Sequence, residues 1–205
     1  MNTNNKEIEI KLPVADPDLA VQAMQKLNAQ VIEERHFEDN FLLDLPGGVL
    51  AKERKLLRIR IKATPDPGHS EIKTILTFKN TPDIHDGVKQ REEVECEVRG
   101  AGNLKEIFQR LEYGITFRYQ KFRTVYRPEN VQLDICIDET PIGNFFELEG
   151  EILRIHEFAT RLGYNRDDYI TQSYSSLYFR WCQKTGGQEP FMLFPDASND
   201  PLKFF

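Results

Sequence analysis

Acidic and basic side chains alternate with apolar ones near the start of this chain, in a spacing that could build an ionic site. In residues 7–11 (EIEIK) every second side chain is charged. Positions i and i+2 of a strand point to the same face, so these charges would share one face. Carboxylates can hold a hard divalent cation, and basic side chains can hold phosphate oxygens. The spacing is therefore suited to metal-assisted phosphate chemistry.

The same two-residue spacing recurs along the chain, and the signs of the charges come in blocks. Basic blocks lie at 58–62 and 121–123, and acidic blocks lie at 93–97 and 147–151. Like charges on one strand repel each other unless a group of opposite sign lies between them. The face-sharing bases are Lys11, Arg58, Arg60, Lys79, Lys121 and Arg123, and the face-sharing acids are Glu7, Glu9, Glu93, Glu95, Asp138, Glu147 and Glu149.

The rows of charged side chains require short strands, and the helices, which have apolar stripes, must cover the opposite face of those strands. The periodicity predicts about eight strands and about four helices, with the strands in consecutive runs. Such runs favour an antiparallel sheet in an α+β fold. If the helices bury their stripes on the apolar face and the sheet closes, the charged rows turn inward. We therefore predict an eight-stranded antiparallel β-barrel, a charged tunnel, with flanking helices.

The alternative interpretation is that the charged rows are the solvent face of an ordinary sheet. Against it, these positions are almost purely Glu, Asp, Lys and Arg, whereas exposed strands usually mix in Thr, Ser, Gln and Tyr. Burying unpaired charges is very costly, so an inward arrangement requires a wet interior filled by a charged ligand. A polyanion on the bases, bridged to the acids by a divalent cation, satisfies both rows.

These motifs, taken in order, resemble the CYTH superfamily, also called triphosphate tunnel metalloenzymes. The resemblance begins with ExExK at 7–11 and extends over about residues 7–180. It is carried further by LRIR (57–60), TFK (77–79), Glu93-x-Glu95, Lys121-Phe122-Arg123, IDETPIGNFFELEGE (137–151) and SYSSLYF (173–179). The fold that this family implies is an eight-stranded antiparallel tunnel flanked by helices, which agrees with the closure argument.

The resemblance implies a metal-dependent enzyme that acts on a triphosphate, with Mg²⁺ or Mn²⁺ as cofactor. It implies that the phosphate oxygens contact Lys11, Arg58, Arg60, Lys79, Lys121 and Arg123. Arg91 is added because it has the same parity, meaning that its place in the two-residue alternation of its strand points it to the inner face. It implies metal ligation by Glu7, Glu9, Glu95, Asp138, Glu147 and Glu149. Lys11 or a carboxylate of the acidic cluster, such as Glu9, would take the proton of the attacking water.

Three functions remain open for such a tunnel. Inward faces almost free of aromatic residues, with Tyr119 the exception, favour hydrolysis of inorganic tripolyphosphate or a small organic triphosphate. An adenylyl cyclase that makes cyclic AMP from ATP would need a nucleoside site at one mouth, and the sequence does not display one. A non-catalytic polyphosphate- or nucleotide-binding protein is the third alternative.

The composition of the chain bears on its partners and its cellular compartment. The 205 residues carry 27 Lys and Arg against 33 Asp and Glu, a net charge of −6 that disfavours a nucleic-acid polymer as partner. No apolar run approaches the roughly 20 residues of a membrane helix, so no membrane partner is expected. Three cysteines without paired spacing predict a soluble protein of the reducing cytoplasm. Monomer and homodimer both remain open.

We expect one tunnel domain over residues 1–184 and an irregular tail over 185–205 that packs on it through Phe191, Leu193 and Phe194. Two local predictions bear on the site. Residues 31–44 are predicted to form two short strands bent near 38–40, and residues 80–89 are predicted to be a polar loop.

Overall fold

The computed structural model of the chain describes residues 6–64 and 71–195, in which strands dominate. The nine strands of this part are β1 Lys6–Val14, β2 Ala29–Asp44, β3 Leu56–Thr64, β4 Glu71–Lys79, β5 Asp83–His85, β6 Val88–Val98, β7 Gly114–Pro128, β8 Leu133–Thr140 and β9 Gly143–Gly150. The five α-helices are α1 Pro17–Lys26, α2 Val49–Lys52, α3 Ala101–Arg110, α4 Ile152–Arg161 and α5 Tyr174–Thr185. A 3₁₀ turn, Arg166–Asp168, precedes α5.

Eight of the strands close into a barrel. Their order is β1-β9-β8-β7-β2-β3-β4-β6, every neighbouring pair is antiparallel, and β6 pairs back with β1. β5 pairs with the start of β6 and lies outside the closed ring. The predicted α+β fold with an eight-stranded antiparallel tunnel is confirmed. A barrel of this size has room for side chains and one small ligand.

The apolar core lies between the outer wall of the barrel and the helices. Ile10 on β1 and Leu148 on β9 point outward and pack with Met24 of α1 and Phe158 of α4, all fully buried. A second cluster lies under α3, where Leu104 packs with the β2 and β3 side chains. Each fully buried side chain of this kind contributes about 1.5–3 kcal/mol. Because the apolar faces are used outside, the charged faces are left inside the barrel.

β2 is one continuous strand, so the prediction of two strands bent near 38–40 is wrong. Its residues 37–43 pair without a break with β3. The irregularities of its pairing with β7 lie instead between Val31 and His36 and beside Leu42. Polar residues at 38–40 look like a turn in the sequence, yet here they are buried between two paired neighbours. This burial makes Glu38 part of the barrel interior.

The predicted loop at 80–89 contains a hairpin, so that prediction is also wrong. β5 and β6 are joined at Asp86 and Gly87, which have φ values of 52° and 76°. An Asp-Gly pair with positive φ at both residues is the usual two-residue turn between strands. Since β6 begins at Val88, Lys89 lies on a barrel strand.

The segment that follows α5 returns to the barrel. The N–H of Met192 donates to the carbonyl of Arg118, and the N–H of Gln120 donates to the carbonyl of Met192. β8 pairs with β7 only from Phe122 onward, so this segment covers an otherwise open edge. Residues 196–205 of the predicted tail lie outside the described residues, and the division into domain and tail stays a prediction.

The five helices of the described part are all too short or too polar to cross a membrane.

Candidate functional site

A cavity of about 130 Å³ lies inside the barrel and is lined mainly by ionic side chains. All seven residues predicted to bind phosphate reach it, together with one further lysine from β6. Its bases are Lys11, Arg58, Arg60, Lys79, Lys89, Arg91, Lys121 and Arg123. Its acids are Glu7, Glu9, Glu93, Glu95, Glu147 and Glu149. The period-two rows of separate strands therefore meet around one space.

On one wall, Glu7 of β1 is held by two bases. Lys79 Nζ and Arg91 Nε donate to its two carboxylate oxygens, the latter at 2.8 Å. Burial alone would raise the pKa of Glu7, but Lys79 and Arg91 outweigh it and hold that pKa far below its usual range. Lys79 also lies 3.0 Å from Glu93, whose pKa burial raises to about 7. Glu7 is thus a permanent anion in a cationic setting.

Arg58 and Arg60 of β3 point into the cavity beside Tyr119. Arg58 Nη2 donates to Glu95 at 3.1 Å, and Arg60 Nε donates to the side-chain oxygen of Asn40 at 2.9 Å. Burial would raise the pKa of Tyr119, yet the two guanidinium groups lower it. The field in this half of the cavity therefore favours anions.

Asp138 of β8 lies behind the bases and does not line the cavity. It is fully buried, and it accepts hydrogen bonds from Lys121 at 2.9 Å, from Arg123 at 2.6 Å and from the hydroxyl of Tyr174. Burial would raise its pKa, but Arg123 and Lys121 lower it. Asp138 therefore orients two bases that line the cavity, and its predicted role as a metal ligand stays a prediction.

The carboxylates of β1 and β9 form the wall that suits a divalent cation. Glu9 faces Glu149 across the two strands, and Glu147 lies two residues from Glu149. Glu149 has no lysine or arginine within ion-pair distance among the described residues, and burial, Glu7 and Glu147 raise its pKa. An uncompensated carboxylate beside other hard oxygen donors is what Mg²⁺ or Mn²⁺ requires. The donor set fits the implied metal.

The acids are not gathered into a finished metal centre. Within residues 6–64 and 71–195, no three carboxylate, imidazole or thiol side chains converge as metal ligands. Glu9 contacts Lys11 at 3.3 Å, and Glu147 contacts Lys11 at 3.1 Å and Arg123 at 2.8 Å. A cation would therefore have to draw carboxylates away from the bases that now neutralise them.

Three interior residues are absent from the sequence-based set. Glu38, 3.2 Å from Arg60 and 3.4 Å from Lys121, is missed because its strand is predicted to bend there. Lys89 is missed because it falls in the predicted loop, although it has the same parity as Arg91. Tyr174 comes from α5, and no strand periodicity could place it in the barrel.

A larger cavity of about 620 Å³, which we call the vestibule, adjoins the tunnel. The two cavities share Lys89, Arg91, Ser173, Ser175, Leu42 and Leu56 as lining residues. The vestibule adds apolar and aromatic walls from Leu50, Ile84, Phe117 and Phe179, with Arg54 and Lys55 at its rim. The sequence gives no sign of an aromatic pocket because these walls come from α2, α5 and strand ends rather than from the inward rows.

The comparisons with known proteins agree with this architecture. A family model described as the CYTH domain matches residues 5–174. A protein of Methanocaldococcus jannaschii, named as a candidate adenylate cyclase, is 26% identical over 181 residues, which cover 83% of this chain and 97% of that protein.

Several solved structures share the fold. A candidate adenylate cyclase from Vibrio parahaemolyticus superposes with a TM-score of 0.71 at 15% identity, covering 86% of this chain and 99% of that chain. A Pyrococcus horikoshii protein superposes with a TM-score of 0.67 at 24% identity, covering 85% of this chain and 98% of that chain. A candidate adenylyl cyclase from Hippeastrum, described as having a dominant triphosphatase activity, gives 0.59 at 23% identity, covering 90% and 98%.

Proposed function

This chain belongs to the CYTH family, and from that premise we propose that it is a divalent-metal-dependent hydrolase of triphosphates. The observation that carries the proposal is the arrangement of charge inside the barrel. Eight basic side chains surround one small cavity, while the carboxylates of β1 and β9 share one wall and Glu149 has no basic partner among the described residues. A polyanion and a divalent cation would compensate these two sets together.

Phosphoryl transfer asks a protein mainly for positioning and for stabilisation of charge. In the proposed reaction, the arginines and lysines orient a linear triphosphate along the barrel axis. Glu9 and Glu149, with Glu7 and Glu147 beside them, would hold Mg²⁺ or Mn²⁺, which supplies polarisation of the terminal phosphoryl group. Water attacks the terminal phosphorus in line, the bond to the bridging oxygen breaks, and the products are phosphate and a diphosphate.

Two groups can take the proton of the attacking water. Glu9 is one, since its carboxylate accepts hydrogen bonds from the ammonium groups of Lys89 and Lys11. Lys11 is the other, since its Nζ lies 3.3 Å from Glu9 and 3.1 Å from Glu147 on the same wall of the cavity. Both side chains are almost fully buried and line the same part of the cavity, so either choice keeps the proton inside the barrel.

The vestibule supports an organic triphosphate over inorganic tripolyphosphate as substrate. The tunnel cavity of about 130 Å³ is small and ionic, whereas the adjoining vestibule of about 620 Å³ carries Phe117 and Phe179. Pockets with apolar and aromatic walls are where proteins bind the organic parts of ligands. The triphosphate would then enter the tunnel at Lys89 and Arg91, and the organic part would remain outside it.

The same vestibule supports a second candidate function, adenylyl cyclase activity. It offers the space for a nucleoside that the sequence does not display, and three of the similar proteins carry adenylate or adenylyl cyclase names. In that reaction the 3′-hydroxyl of ATP would attack the α-phosphorus, and diphosphate would leave. Hydrolysis is the first choice for two reasons. It needs no placement of a ribose hydroxyl, and the Hippeastrum protein is described as having a dominant triphosphatase activity.

A panel of substrates and metals tests the two functions. Tripolyphosphate, thiamine triphosphate and ATP are each incubated with Mg²⁺, with Mn²⁺ and with a chelator, and phosphate, diphosphate and cyclic AMP are measured. We expect phosphate release from an organic triphosphate with at least one metal, and none with the chelator. Cyclic AMP with diphosphate would instead identify a cyclase. Tight binding without any product would identify a binding protein.

Phe179→Ala tests whether the vestibule selects an organic substrate. Phe179 is 53% exposed on α5, so its removal leaves the barrel intact. We expect the ratio of kcat/KM for the organic triphosphate to that for tripolyphosphate to fall about tenfold, the usual effect of a lost apolar contact. Tripolyphosphate has no organic part and serves as the internal control. An unchanged ratio would show that the vestibule does not contribute to substrate recognition.

A further inference from the structure

Lys89 occupies a position in the barrel that suggests a role beyond contact with the entering triphosphate. It lies on β6 directly opposite Glu9 of β1 and is only 5% exposed. Its ammonium group donates to Glu9 Oε1, the same oxygen that Lys11 approaches at 3.3 Å. Two ammonium groups therefore hold one oxygen of a carboxylate that the proposed function assigns to the metal.

The other neighbour of Glu9 is an acid. On the opposite side of β1, Glu9 faces Glu149, which has no basic partner among the described residues. A divalent cation held by these two carboxylates would compete with the two ammonium groups for the negative charge of Glu9. The two lysines differ in the partner that each would keep after losing Glu9, so the lysine without a second partner competes with the cation until another anion arrives.

The ion pairs separate the two lysines. Lys11 keeps a second partner, Glu147, at 3.1 Å. In the described chain Glu9 is the single acid within ion-pair distance of Lys89, so displacement would leave Lys89 buried without a counter-ion. A buried, unpaired ammonium group is strongly destabilised. Lys79, by comparison, has both Glu7 and Glu93 and would stay paired after losing one.

Lys89 is also placed where an anion would arrive. It lines both the tunnel cavity and the vestibule, beside Arg91 and the hydroxyls of Ser173 and Ser175. A phosphoryl oxygen entering at this junction would supply the partner that Lys89 loses when a metal takes Glu9. Exchange of one partner for the other keeps every charge compensated.

We propose that Lys89 competes with the divalent cation for Glu9 in the empty barrel and moves to a phosphoryl oxygen when the substrate binds. The inference rests on the proposed function, since it takes Glu9 as a metal ligand. It makes metal and polyanion binding mutually reinforcing through one side chain, and coupling between two ligands is reciprocal. Lys89 is a positioning residue in this scheme.

Lys89→Met tests the competition through binding of Mn²⁺ alone, measured by titration without any phosphate compound. We expect Mn²⁺ to bind about tenfold more tightly than to the wild type, a usual size for coupling between sites. Lys89→Arg keeps the charge and should bind as the wild type does. Lys62→Met is the matched control, because it removes the same charge from a residue that pairs with Glu33. An equal gain in Lys62→Met, or no gain in Lys89→Met, would overturn the proposal.

A second titration, of tripolyphosphate in the presence of a chelator, measures the other half of the exchange. Lys89→Met should weaken this binding about tenfold, so the two ligands respond in opposite directions. A merely structural role for Lys89 would weaken both, and that result would overturn the proposal. If Lys89→Met does not fold, as judged by circular dichroism, Lys89→Gln is used because it can still donate to Glu9.

The outcome also separates this inference from the proposed function. Metal-dependent hydrolysis by the wild type, with Mn²⁺ affinity unchanged in Lys89→Met, overturns the role of Lys89 and leaves the function standing. If no triphosphate is hydrolysed but Lys89→Met binds Mn²⁺ more tightly, the competition between Lys89 and the cation for Glu9 is confirmed. The proposed hydrolase function is then contradicted.

Discussion

Glu9→Gln is expected to lower the turnover of a triphosphate by about 10³-fold, because the metal would lose one of its two facing carboxylates. Removal of several kcal/mol of charge stabilisation by a metal corresponds to about that factor. Glutamine keeps the shape of the side chain, and its oxygen can still accept from Lys89. The measurement is kcat with saturating Mg²⁺ or Mn²⁺, made beside a titration of each metal.

Glu97→Gln is the matched control for that variant. Glu97 has the same parity as the inward acids of β6 but is exposed and outside both cavities. Its turnover should equal that of the wild type. If Glu9→Gln also turns over at the wild-type rate while its fold is intact, Glu9 is neither a metal ligand nor the base. If its fold is lost, the main role of Glu9 is to hold Lys89 and Lys11.

Arg123→Met is expected to lower the free energy of unfolding by about 3–5 kcal/mol, the usual effect of removing one partner of a buried ion pair. Arg123 is buried and donates to both Asp138 and Glu147. Without it, these carboxylates lie in the barrel with less compensation. Chemical denaturation of the wild type and the variant measures the difference.

Arg127→Met provides the comparison on the same strand. Arg127 pairs with Asp134 at 2.6 Å, but its side chain is 41% exposed. Exposed pairs contribute about 0–1 kcal/mol, so this variant should unfold near the wild-type midpoint. Equal losses in the two variants would show that the interior around Arg123 is as well solvated as the surface. Adding Asp138→Asn to Arg123→Met should recover part of the loss, because one uncompensated charge disappears.

The pattern of the strands was enough to predict the barrel and the residues facing its interior. The alternation of side chains is a local property of a β-strand, so the parity of Glu7, Glu9 and Lys11 follows from the sequence of β1 alone. The consecutive strands also implied antiparallel pairing, since parallel neighbours need long crossover connections. Closure followed from the need to bury apolar stripes outside and to compensate charges inside.

Local pattern failed where burial overrode polarity. Residues 38–40 read as a bend because Glu, Asp and Asn favour turns, yet neighbours on both sides bury them. Residues 80–89 are predicted to be a loop because the stretch is polar, so neither the Asp86-Gly87 turn nor the strand position of Lys89 is predicted. Here the signal existed in the sequence, because an Asp-Gly pair commonly joins two strands.

The ion pairs and the vestibule were decided by the tertiary structure. The sequence determined that Glu9 faces inward and placed Lys89 in a loop, whereas the register between β1 and β6 brought the two together across 80 residues of chain. The register of β7 with β8 likewise placed Asp138 behind Arg123. The vestibule is built from helices and strand ends that are distant in sequence. Parity is set residue by residue, whereas register and enclosure depend on how the whole barrel closes.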